Sequence, residues 1–179
     1  MVDALWPGIL FDAGWGRQVI NSGRAKTAED IRGLEFDWLA TDEAGCIGLF
    51  TTAGAGYAPN EFLRDTEAHD AAIDEILALP ASSAAKFAPT LPSDLVNTWL
   101  LVAERGLYAF DSDPNGGPYH CVAAPVTPVR LGALPEGVGR LVAEIRLGFR
   151  FDDHHVITDD LLNRSRNGLP DPDAAHFPT

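Results

Sequence analysis

Basic residues are scarce in this sequence. Lys and Arg together number 13 against 26 Asp and Glu, so the formal charge is 13 − 26 = −13 over 179 residues. A chain with that balance has no basic surplus with which to displace counterions from phosphate, and nucleic-acid binding is not expected. The same field disfavours anionic membrane surfaces and favours basic protein partners. Uncharged stretches stay short of the ~20 residues that a membrane-crossing helix requires. The first ten residues carry Asp3, no basic residue and a Pro7-Gly8 break, which is unlike a secretory leader. A cytoplasmic location is the expectation. Cysteine is nearly missing: Cys46 and Cys121 stand alone with no C-x-x-C pair. Two reduced, buried thiols are expected rather than a disulfide or a zinc site. There is no P-loop, no G-x-S-x-G and no H-E-x-x-H.

Apolar residues, by contrast, make up 46% of the chain, enough for a core. A chain of this size buries roughly 70% of its unfolded surface and needs no metal or disulfide to fold. Residues 1–27 read as an irregular lead-in, 28–168 as one α+β domain and 169–179 as a loose tail. Thr27 caps a short helix from Ala28 to about Gly33, with Glu29 and Asp30 in its first turn. Phe36, Trp38 and Ala40 then alternate with polar residues, Asp42 to Gly45 supply a turn, and Cys46–Thr52 continues as a second strand. Asn60 caps a helix that runs to Leu79 and stops at Pro80. Residues 80–92 read as linker. Thr98–Ala103 and Leu107–Asp111 read as a second hairpin around Glu104-Arg105-Gly106, and Tyr119–Val126 as a further strand. Residues 135–146 fit a helix followed by a strand from Leu147, although the alternation of Leu141 to Phe151 also fits a strand throughout. Thr158 caps a last helix. The fold class that results is α+β: a single domain with an antiparallel sheet of hairpins and helices packed on one face.

Candidate chemistry is sparse. Asp111-Ser112-Asp113-Pro114-Asn115-Gly116 matches the opening of a calcium loop, but Val122 stands where the bidentate Glu belongs, so a surface turn is the better reading. Asp152-Asp153-His154-His155 is the densest group of metal-ligand types. Neighbours on an extended chain face opposite sides, so it would need a remote ligand such as His120. His69 falls on the apolar face of its helix and reads as a hydrogen-bonded core histidine rather than a base. Gly54-Ala55-Gly56 fails as a dinucleotide loop because Pro59 takes the third glycine's place. No catalytic residue, metal ligand or cofactor is assigned. The remaining feature is acidic: Glu61, Asp65, Glu67, Asp70, Asp74 and Glu75 against Arg64 alone. Like charges at these spacings cost a few tenths of a kcal/mol each. They read either as a solvated face or as a docking surface for a basic partner, and the face of Glu67, Asp70 and Asp74 has no local structural reason.

The run Phe36-Asp37-Trp38-Leu39-Ala40-Thr41-Asp42-Glu43-Ala44-Gly45-Cys46-Ile47-Gly48-Leu49-Phe50-Thr51-Thr52-Ala53-Gly54 has the form W-x-A-x-D-x-x-G-x-I-x-x-F-x-T-x-G. Followed by Pro59 and Asn60, it resembles a hairpin found in many small bacterial proteins, some of which look like immunity proteins paired with secreted toxins. That resemblance implies a structural motif without catalytic residues, and a non-catalytic binding role. The leading expectation is therefore an acidic cytoplasmic binding protein that neutralises a toxin with a basic active-site cleft. The alternatives are a small metal-dependent hydrolase built on Asp152–His155, and an oligomeric scaffold, such as a homodimer joined through Trp6, Phe11 and Trp15.

Overall fold

The computed structural model describes residues 24–88, Pro92 and residues 96–166. The N-terminal lead-in up to Gly23, with Trp6, Phe11 and Trp15, and the expected tail both fall outside the described residues. Within them, the order of elements is α1 (Ala28–Ile31), β1 (Asp37–Thr41), β2 (Ile47–Thr51), α2 (Asn60–Arg64), α3 (Thr66–Ala78), β3 (Ala85–Phe87), α4 (Thr98–Ala103), β4 (Tyr108–Ser112), β5 (Tyr119–Pro125), α5 (Glu136–Val142), β6 (Val156–Ile157) and α6 (Asp159–Arg166). A single six-stranded sheet in the order β1-β2-β4-β5-β3, with β6 beside β5, confirms the α+β class.

The first hairpin forms as its residues demand. Trp38 pairs with Phe50 and Leu39 with Leu49 across β1 and β2. Gly45 takes φ +80° in the turn, a conformation that costs glycine little. Asp42 locks that turn to the far end of the chain: its buried carboxylate accepts the Cys46 N–H at 2.7 Å and the Phe151 N–H at 3.1 Å.

Several expectations are corrected beyond the hairpin. The sheet is mixed rather than wholly antiparallel, because β2 and β4 pair in parallel. A parallel pair needs a crossover connection, and α2, α3, β3 and α4 supply it. The segment Thr98–Ala103, expected as a strand, is the helix α4, whose N-terminus is capped by Asn97 Oδ1 accepting the Leu100 N–H at 3.0 Å. The single helix expected from Asn60 to Leu79 is two. Asp65 leaves helical geometry at φ −152° and caps α3 by accepting the Ala68 N–H. The 80–92 linker holds the edge strand β3. Asn60, expected as a cap, is the first residue of α2, and Pro59 holds the cap position without a side-chain hydrogen bond. Other caps form as expected. Thr27 and Asp30 form a reciprocal capping box, and Thr158 Oγ1 accepts the Leu161 N–H at the start of α6.

Successive strand residues face opposite sides, and both sides of this sheet are covered. Leu39, Leu49, Ala109 and Ala123 meet α3, α4 and α5 in one core, and helices cover the opposite face as well, where a single helical face was expected. Trp38, Phe50, Phe110 and Tyr119 form the other core, closed by Ile31 of α1, Phe62 and Leu63 of α2, Leu161 and Leu162 of α6, and the chain from Ile145 to Phe151. That last stretch buries every second residue, as a strand would, although it meets β1 only through an isolated parallel bridge between Thr41 and Arg146. Aromatic stacking dominates this second core: Trp38 lies on Phe50 at 4.1 Å between centroids, and Phe50 on Phe110 at 4.9 Å. Each such pair adds about 0.5–1.5 kcal/mol beyond its burial. Gly48 leaves the slot that Phe151 fills, since a Cβ there would stand 3.0 Å from the Phe151 ring. Trp38 Nε1 and Tyr119 Oη are both satisfied within this core. Trp38 Nε1 donates to Tyr119 Oη at 3.1 Å, and that hydroxyl donates to the Tyr57 carbonyl at 2.6 Å.

Candidate functional site

The six acids of the 61–75 region separate once folded. Burial of Thr66, His69, Ala72, Ile73 and Ile76 sets the inward stripe of α3. At about 100° per residue, Glu67, Asp70 and Asp74 share one flank, and Glu75 lies on the other, against α5 with Arg140 and Glu144. Asp65 is the cap of α3 and Glu61 belongs to α2. The expected face of Glu67, Asp70 and Asp74 is thus one stripe, with Asp70 half-buried at its inner margin.

That stripe adjoins two carboxyls that sequence reasoning did not select. Asp37 on β1 lies opposite Thr51 on β2, and Thr51 lies opposite Asp111 on β4. In register across three strands, all three project toward the helix layer, on the side of Leu39, Leu49 and Ala109. Thr51 Oγ1 donates to Asp37 Oδ1 at 2.7 Å and accepts from Trp99 Nε1 of α4 at 3.4 Å. Burial pushes the Asp37 carboxyl up to about 6, with Glu35 and Asp70 adding repulsion and the Thr51 hydroxyl opposing. Burial likewise pushes Asp111 up to about 7, helped by Glu35 and Asp37. On the next strand His120 lies opposite Asp111. Its Nε2 sits 3.8 Å from Asp113 Oδ2. Two half-buried neighbouring carboxyls that resist ionisation are an electrostatic anomaly, and such anomalies gather at functional sites. The alternation of Phe36, Trp38 and Ala40 with polar residues places Asp37 on the face opposite Trp38 but does not say what covers that face. The almost unbroken apolar run of β2 is the signal that both faces are covered, and that this Asp therefore meets a helix layer.

His69 stands on the inward stripe as a structural group. Its Nδ1 accepts the Leu39 N–H at 3.1 Å, its ring meets Phe62 edge-on, and burial lowers it to about 4, so it is neutral near pH 7.

The Asp152–His155 segment is arranged differently from a hydrolytic centre. Asp152 Oδ1 accepts from the Tyr108 hydroxyl at 2.7 Å and Oδ2 from Arg150 at 2.8 Å. Those bonds, the Tyr108 one foremost, hold the carboxyl below its ordinary range. The His154 ring packs against Phe149. Pairing of β5 with β6 does bring His120 beside Val156, and the His155 carbonyl accepts the Cys121 N–H. By alternation, however, His120 and His155 point to opposite faces. Among the described residues no group of three or more His, Cys, Asp and Glu could hold a metal ion. The Asp111–Gly116 segment is the end of β4 and the turn that follows it, closed by the Gly116 N–H donating to the Asp113 carbonyl. Cys46 and Cys121 are both free thiols, with Cys46 buried and Cys121 half-buried and pushed up to about 11 by burial. A thiol held that high is a poor nucleophile at neutral pH. Among the described residues no helix is long and apolar enough to cross a membrane.

No family model matches the chain, and comparisons with curated proteins and with solved structures return no match.

Proposed function

We propose that this chain is a non-catalytic binding protein that presents an anionic face to a basic protein partner, in the manner of an immunity protein covering a toxin's basic cleft. The observation that carries the reading is the meeting of Asp70, on the Glu67, Asp70 and Asp74 stripe, with Asp37, which in turn neighbours Asp111 across the sheet. These two carboxyls are held half-buried among like charges, an arrangement that costs stability in the free protein. A cationic partner side chain at this face would relieve the repulsion, so the cost converts into affinity and into partner choice. The overall charge of −13 acts in the same direction at longer range, steering a basic partner toward the chain.

The test uses the full chain as bait in its native host. A protein of basic isoelectric point is expected to be retained and to be released as salt is raised. The combined variant Glu67→Gln, Asp70→Asn, Asp74→Asn is expected to slow association with that partner about tenfold or more, with a flatter salt dependence. Retention of no basic protein, or a variant that associates as fast as the original chain, would sink the proposal. The toxin-neutralising form of the reading further requires that the retained protein be toxic when expressed alone and harmless when co-expressed with this chain.

A further inference from the structure

A cleft of about 610 Å³ opens between α1, the turn after β2, the start of α2 and α6. Its size lies within the roughly 300–1,000 Å³ of small-molecule sites. The charges on its wall are Lys26, Arg32 and Asp159, a local balance of opposite sign to that of the whole chain. Asn60 and Asn163 add two carboxamides, and Ile31 with Leu63 adds an apolar surface.

The wall is built by tertiary contacts. The Lys26 N–H donates to the Leu63 carbonyl at 2.7 Å, and its ammonium donates to the Thr66 hydroxyl and stands 5.8 Å from the Phe36 ring centroid, which fixes the lysine at the cleft margin. The Gly33 N–H donates to the Gly54 carbonyl at 2.7 Å and ties α1 to the turn after β2. Asp159 and Asn163 are four residues apart on α6 and therefore share one face. Arg32 is committed only to an exposed pair with Glu29, with side chains 72% and 79% accessible. Such a pair is worth little and exchanges readily for a better partner.

We infer that this cleft binds a small zwitterion of the amino-acid or short-peptide type, with its carboxylate at Lys26 and Arg32, its ammonium at Asp159 and its apolar side chain on Ile31 and Leu63. A simple anion would suit the two cations and be repelled by Asp159, and a simple amine would meet the reverse. Only a molecule bearing both signs gives all three charges an attractive partner. Burial already holds the Asp159 carboxyl above its ordinary value, and a ligand ammonium would offset that cost. The site lies on the aromatic side of the sheet, away from the α3 stripe, and does not depend on the proposed protein partner.

The probes are L-leucine and L-leucyl-L-leucine, compared by calorimetric titration of the full chain with N-acetyl-L-leucine, which lacks the ammonium, and L-leucinamide, which lacks the carboxylate. At least one zwitterion is expected to bind in the millimolar range or better, and each comparator about tenfold more weakly. Arg32→Gln is expected to weaken the zwitterion and the acetyl compound but leave leucinamide unchanged. Asp159→Asn is expected to weaken the zwitterion and leucinamide but leave the acetyl compound no weaker. Should Asp159→Asn fail to fold, as judged by its melting curve, the exposed Arg32→Gln carries the test with all four probes. Absence of binding by either zwitterion overturns the proposal. So does acetyl-leucine binding as tightly as leucine, which would make the cleft a plain anion site.

Discussion

His69 Nδ1 accepts the Leu39 amide hydrogen at 3.1 Å, joining α3 to the outermost strand of the sheet. The bond satisfies a buried N–H that an edge strand leaves without a ladder partner. Burial lowers this imidazole from its ordinary value to about 4. The folded state thus disfavours the protonated form, and stability is lost as the pH falls from about 6.5 toward 4. His69→Leu is expected to destabilise by about 1–3 kcal/mol at pH 7, the cost of an unpartnered buried N–H. At pH 5 the difference from the original chain is expected to shrink. Urea unfolding at the two pH values measures both, and a gap that widens on acidification would contradict the neutral imidazole.

Asp37 and Asp111 act in the opposite direction. Their carboxyls sit near 6 and 7, above the ordinary range. A raised carboxyl favours the folded state when protonated, so that contribution is full below about pH 4 and disappears as the pH rises through 6 to 7. Asp37→Asn and Asp111→Asn are therefore expected to stabilise the protein at pH 8, each on the order of 1 kcal/mol after allowance for solvent screening. Both are expected to be close to neutral at pH 4. Asn at position 37 keeps an oxygen to accept from Thr51. Melting temperatures across this pH range decide the matter, and the same variants are expected to weaken any basic partner.

The Asp42 carboxylate holds two backbone N–H groups 105 residues apart in sequence, those of Cys46 and Phe151. Asp42→Ala leaves both buried donors without a partner and is expected to cost about 3 kcal/mol or more. Asp42→Asn retains one acceptor and is expected to fall between. Amide exchange at Phe151 should accelerate in both variants. Unchanged protection there would mean that the carboxylate does not hold the C-terminal segment.

Gly106 separates two effects of a methyl group. It sits at φ +89°, and a Cβ there would stand 2.6 Å from Val129 Cγ2 and 2.8 Å from the Val129 nitrogen. Gly33 has a similar φ of +77° with open space around it. Gly33→Ala is expected to cost about 1 kcal/mol from backbone strain alone, and Gly106→Ala clearly more. Equal losses on denaturant titration would show that the 106 loop moves aside freely.

Much of the chain was legible because its signals are local. Thr27 and Thr158 cap helices through hydrogen bonds that reach only three residues ahead. The Asn97 cap is equally short-range but does not identify α4 by itself, because the apolar run Trp99-Leu100-Leu101-Val102 carries no period that separates a short buried helix from a strand. Asp65 was read as one more acid on a continuous helix, yet its side chain competes for backbone N–H groups and divides the segment. The stripe of Glu67, Asp70 and Asp74 followed from spacing, whereas its junction with Asp37 and Asp111 did not, since these residues come from three separate parts of the chain.

The sequence by itself determined the acidity, the first hairpin, the Thr27 and Thr158 caps and the α+β class, because each depends on composition or on residues a few positions apart. Tertiary structure alone decided that β2 and β4 run parallel, that both faces of the sheet are covered, and that Asp37 and Asp111 lie under helices instead of in water. Strand order is chosen by long-range closure and burial of the whole apolar surface. The protonation of a carboxyl depends on the solvent it loses, which no stretch of local sequence specifies.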